Sequence, residues 1–273
     1  MLWKSPIAPA AAFISEQLIQ LPRALRLARS LRESHDPAIY LEAVGLIEEL
    51  YNDDCDTFIH GILENVTTLV STRSPENAAL VPESYHFEST YIFKLFTRYF
   101  SFQVLLYGII EDLQRIYSLN IDMSAVRVKD VQAAQSIAMC VDHALNTYPA
   151  MGLLVVRLIL PLQFSFFSWH RLERRSMSSM YTTHDYQRAR QMKWWVVRVM
   201  NGIEIAWRTD HTSLETNEKV AEALSGGPQL KRLGRFTDPA SIIASADEFV
   251  TKENFEGSEQ DTPPQLNTLH ATV

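Results

Sequence analysis

Residues 151–169 read MGLLVVRLILPLQFSFFSW, from Met151 to Trp169, the most apolar stretch of the chain. Its length matches a membrane span, which needs about 20 consecutive apolar residues. Three residues break that reading: Arg157, Pro161 and Gln163. An arginine near the middle of a span costs roughly 2.5–3.5 kcal/mol on insertion scales. Pro161 has no backbone N–H to give, so the stretch divides there into a turn or kink followed by a fresh helix. A helix so apolar needs apolar neighbours, and the sequence offers one at Glu88–Tyr117. The stretch is therefore expected in the middle of a helical core, with Arg157 reaching solvent or a carboxylate and no membrane contact.

Working outward, helical spacing dominates. Leu21, Ala24, Leu25, Ala28 and Leu31 form one stripe, with arginines 23, 26, 29 and 32 mostly off it. Asp36-Pro37 reads as an N-cap and first-turn proline that open a helix to about Tyr51. A further helix is expected over 54–71, ending before Ser74-Pro75, and PENAALVPESYHF (75–87) reads as a loop. Between Glu88 and Tyr117 the apolar residues, among them Phe93, Phe96, Phe100, Leu106 and Ile110, go almost all the way round, which places that helix centrally. Helices follow at 129–146, at 151–180 with the interruption at Pro161, and at Thr183–Arg208. In the last, Met192, Trp195, Val196, Val199, Ile203 and Ala206 share helical spacing. Strand alternation and glycine-centred hairpin turns are sparse. The expected fold is all-α, a multi-helix orthogonal or bundle-like domain.

Composition sets the domain limits. Four of the 9 glycines fall after residue 211, and that segment carries ten acids against five bases, hence −5 of the chain's net −7. The expected organisation is an N-terminal extension (1–20), a helical domain (21–208) and a flexible acidic tail (209–273). Short helices within the tail are signalled by Thr212-x-x-Glu215, a possible capping box, and by Asp238-Pro239. An acidic chain is a poor match for a nucleic-acid backbone. Two cysteines, Cys55 and Cys140, are too few for a disulfide framework or a four-thiolate zinc site. The first residues, MLWKSPIAPAAAF, lack the apolar core of a signal peptide, so a reducing interior is the expected setting.

Candidate chemistry is thin. Asp53, Asp54 and Asp56 raise the possibility of a magnesium site of the kind that grips a diphosphate, but Thr57 stands where a matching aspartate belongs. The alternative is a helix start, where Asn and Asp cap exposed amides. The eight histidines (35, 60, 86, 143, 170, 184, 211, 270) include no pair three to five apart, so no helical metal pair exists. His143 and His170 read as packed or surface residues, and Cys140 as a small core residue. Neither a nucleophile elbow nor a phosphate loop occurs. Trp194 and Trp195 are adjacent on a helix, so one faces the core and the other is partly exposed. KRLGR (231–235) is a weak basic cluster, and ADEFVTKENFEG (246–257) an acidic segment with embedded aromatics. No catalytic residue, cofactor site or metal site is assigned.

Three stretches resemble the C-terminal regulatory region of fungal zinc-cluster transcription factors, the fungal-specific transcription factor domain. They are VPESYHFESTYIFKLFTRYFSFQVLLYGIIEDL (81–113), with its Tyr99-Phe100 pair; AAQSIAMCVDHAL (133–145); and MGLLVVRLILPLQFSFF with the later WW…MNGIEIA, where Gly152 and Leu160-Pro161-Leu162 match a glycine and a proline turn. The resemblance covers most of residues 35–207 and rests on packing patterns. It implies a nuclear regulatory protein, or a cytoplasmic one lacking an import partner. It also implies action through protein contacts, by self-association or with a full-length factor. The family reads DNA through six cysteines holding zinc, a module this chain lacks, so no direct nucleic-acid binding is expected. The competing expectation is a small helical enzyme or ligand-binding protein with magnesium near Asp53–Asp56.

Overall fold

The structure, a computed structural model, describes residues 7–51, 53–147, 155, 157–178, 183–207 and 214–224. The fold is all-α, as the helical spacing predicts. The helices are α1 (Ile7–Glu33), α2 (Pro37–Leu50), α3 (Asp53–Val66), α4 (Pro75–Ala78), α5 (Thr90–Ile116), α6 (Met123–Met139), α7 (Val141–Thr147), α8 (Ile159–Ser178), α9 (Thr183–Trp207) and α10 (Leu214–Leu224). Two short strands, β1 (Thr67–Ser71) and β2 (Glu83–Phe87), pair antiparallel with Thr67 opposite Phe87 and Ser71 opposite Glu83.

Helix α5 is the centre. Ser89 caps it, its hydroxyl accepting from the Ile92 N–H at 3.3 Å. Phe93, Phe96, Tyr99, Phe100, Tyr107 and Ile110 are fully buried on one side of the helix, and Leu95, Ser101, Phe102 and Ile109 are buried on the others. Burying each large apolar side chain stabilises by about 1.5–3 kcal/mol. Helices α1, α2, α6, α8 and α10 and strand β2 all pack on it, and α9 packs on the outside of α8.

The opening stretch resolves as expected where it is described. Arg157 is exposed, the chain turns at 157–158, and α8 starts at Ile159. Pro161 lies in the first helical turn, where backbone N–H groups have no helical partner and its missing donor costs nothing. Phe166, Phe167 and Trp169 then enter the core. Residues 151–154, with Gly152, lie outside the described residues. No described helix is long and apolar enough to cross a membrane.

Several expected boundaries move. Helix α1 runs through the boundary placed at residue 20. Its buried line is Ala10, Ile14, Gln17, Leu21, Ala24, Ala28 and Leu31, alternating steps of four and three. Pro22 has no N–H to donate within the helix and lies on its exposed side. The helix expected over 54–71 ends at Val66, and the loop expected at 75–87 contains α4 and β2. The helix expected at 129–146 begins earlier, at Met123. Asp122 caps it by accepting from the N–H groups of Ser124 (2.9 Å) and Ala125 (3.4 Å), and it breaks at Cys140 into α7. Segment 214–224, expected as a short helix inside a flexible tail, is α10. Its Asn217 and Ala221 are buried, and it packs on α8. Thr212 and Asp238-Pro239, with KRLGR and ADEFVTKENFEG, lie outside the described residues.

Candidate interaction surface

Asp56, His143, Cys140 and His170, which the sequence singles out, each have partners elsewhere in the fold. Asp56, on α3, accepts from Tyr99 Oη at 2.5 Å and Gln103 Nε2 at 3.3 Å. Its second oxygen faces Tyr107 Oη at 3.4 Å and Lys129 Nζ at 3.3 Å. Burial, with Asp56 adjacent, holds both tyrosine hydroxyls protonated far above their usual range. A cation arriving at Asp56 must displace Lys129, whose ammonium also lies 5.0 Å over the Tyr51 ring. Magnesium at Asp56 would thus compete with Lys129 for the carboxylate; the side chains of Asp53 and Asp54 lie outside what the structure describes.

His143 is buried, stacks on Phe93, and its Nδ1 accepts from the Phe87 N–H at 3.3 Å. Burial lowers its pKa to about 4, with His86 and Arg73 adding to the shift. Cys140 is a core residue whose Sγ donates to the Ser136 carbonyl at 3.2 Å, and burial raises its thiol well above the ordinary range. His170 forms a cluster with Glu173 and Glu218 whose ligand atoms lie within 4.8 Å of one another, the one metal-like grouping among the described residues. Lys193 already fills it: Nζ is 2.6 Å from Glu173, 2.5 Å from Glu218 and 3.4 Å from His170 Nδ1. Sequence reasoning missed this cluster because only His170 and Glu173 are neighbours along one helix, α8, while Lys193 and Glu218 join them from α9 and α10 through the fold.

The apolar surface left open lies along α9. Trp195 is 2% exposed and Trp194 51%, the split expected of adjacent helical tryptophans. Trp195 Nε1 donates to Asn77 Oδ1 at 2.9 Å, which fixes α4 against α9. Between them runs a groove of 1320 Å³ lined by Leu80, Tyr186, Trp194 and Val197 and by Arg190, Arg198 and Glu76. Glu76 lies 3.6 Å from Arg198, so the groove's charged residues leave one cation in excess.

No family description, curated protein or solved structure matches this chain.

Proposed function

We propose that this chain is a non-catalytic, transcription-factor-like regulatory protein that acts through protein–protein contacts. The observation that carries the reading is the α4–α9 groove, where an exposed tryptophan, a tyrosine and aliphatic side chains line one surface. Tryptophan and arginine are the residues that most often dominate binding energy at protein interfaces. The shape suits a partner helix laid along it, the common mode for an amphipathic segment. The excess cation calls for a carboxylate on that helix, placed near Arg190. A second copy of this domain or the corresponding domain of a full-length factor would supply such a helix. The family resemblance supports the transcriptional part of the reading. The paired state of Asp56, His143, His170 and Lys193 favours it over an enzyme with magnesium at Asp56.

A photo-crosslinking amino acid placed at position 194 tests the contact in cells. We expect a discrete protein adduct at 194 and none from the same probe at Leu41, an exposed apolar residue outside the groove. Equal labelling from both positions, or none from either, contradicts the reading.

A further inference from the structure

A second cavity, of 680 Å³, opens among α6, α8 and the start of α9. Ligand pockets for small organic molecules commonly run ~300–1,000 Å³. Its apolar lining comes from Val128, Val131 and Leu172, and its charged lining from Arg127, Arg175, Arg188 and one carboxylate, Asp185. Three guanidiniums against one carboxylate is an unusual wall in a chain whose net charge is −7.

The positive excess continues behind that wall. Arg175 Nη1 donates to Glu111 Oε2 at 2.8 Å, and Arg171 holds Asp130 at 2.5 Å and 3.1 Å. Arg32 pairs with Asp112, and Arg115 lies 3.4 Å from Glu111. Counting Arg127, five guanidiniums share three carboxylates. Burial lowers the Arg175 pKa, with Arg171 and Arg127 pushing the same way and Glu111 and Asp130 opposing. Arg127 Nε is shielded from water and has no hydrogen-bond partner, and Gln135 Oε1, on the same cavity wall, has no donor. At the rim Arg188 is exposed, with its guanidinium 5.9 Å over the Trp169 ring.

We infer that this cavity binds an amphipathic organic acid, with its carboxylate between Arg127 and Arg188 and its apolar body along Val128, Val131 and Leu172. Guanidinium forks match a carboxylate in two parallel hydrogen bonds. The apolar lining suits a hydrocarbon body, and Asp185 disfavours a dianion, so a single negative charge fits best. The inference stands apart from the partner reading, since it uses a different face of α9 and different residues.

Titration calorimetry and amide NMR with decanoate, decanol, acetate and inorganic phosphate test it. We expect saturable decanoate binding with shifts centred on α6 and α8. Decanol and acetate should each bind roughly tenfold or more weakly, since each lacks one half of the recognition. Arg127→Gln with Arg188→Gln should weaken decanoate by a similar factor at unchanged circular dichroism. Arg188→Gln alone, at an exposed position, gives the same direction should the double variant fold poorly. Equal binding of decanoate and decanol, unchanged decanoate binding by both variants, phosphate binding without decanoate binding, or no saturable binding at all would each overturn the inference.

Discussion

At Lys193 a buried ammonium faces Glu173, Glu218 and His170, and it takes the place that a metal ion would need. Removing one partner from a buried ion pair leaves an uncompensated charge and costs about 3–5 kcal/mol. Lys193→Ala should lose stability on that scale, read as a lower urea midpoint. Replacing the exposed Lys219, which pairs with Glu215 on the surface of α10, should change little. At Asp56, Tyr99→Phe deletes a hydroxyl that donates to a carboxylate, an interaction worth about 1.5–3 kcal/mol. Magnesium should leave the melting temperature of the wild type unchanged; a magnesium shift abolished by Asp56→Asn would revive the metal expectation. His143 and His170 titrate near 4 in the folded chain, against an ordinary value of 6.5. Between those values the unfolded chain binds protons that the folded chain refuses. Stability is therefore intact above 6.5, falls as the pH drops, and has lost the full contribution below about 4. Urea midpoints at pH 7 and pH 5 should show the fall, and His170→Gln should make it shallower.

Among the elements, α5 was legible and the first half of α1 was not, for one physical reason. The phenylalanines and isoleucines of α5 announce a buried helix. The first half of α1, by contrast, buries only Ala10, Ile14 and Gln17, and a small and a polar residue around a single isoleucine make no apolar stripe. Strand β1 escaped notice because four of its five residues are exposed and show no alternation; pairing with β2 defines it. Helix α10 looked like tail because its acids match solvent, yet Glu218 and Glu222 meet Lys193 and Arg174 across a helix interface. Proline inside a helix costs about 3 kcal/mol or more. Ala221→Pro should detach α10, and hydrogen exchange should rise over Leu214–Leu224 and the facing part of α8 while α1 and α2 stay protected. Unchanged protection of α10 would contradict its docking.

For the whole molecule, the described helices build one unit around α5, with buried ion pairs such as Arg171–Asp130 inside and an aromatic groove outside. The site was half legible. The Trp194-Trp195 pair signals from sequence one core and one exposed tryptophan, but the groove itself forms only when Leu80 and Glu76 join α9 through the fold. The arginine cavity could not be read at all, because Arg127, Arg175 and Arg188 stand on three helices. The central claim is that this chain works through the α9 groove by contact with another protein in transcriptional control. Its most direct test joins the chain to an unrelated DNA-binding module and measures a reporter gene in cells. The account predicts that the wild-type fusion changes reporter output and that Trp194→Asp abolishes the change at equal protein level and equal helicity. A reporter unaffected by the wild-type fusion, or affected identically by Trp194→Asp, would contradict it.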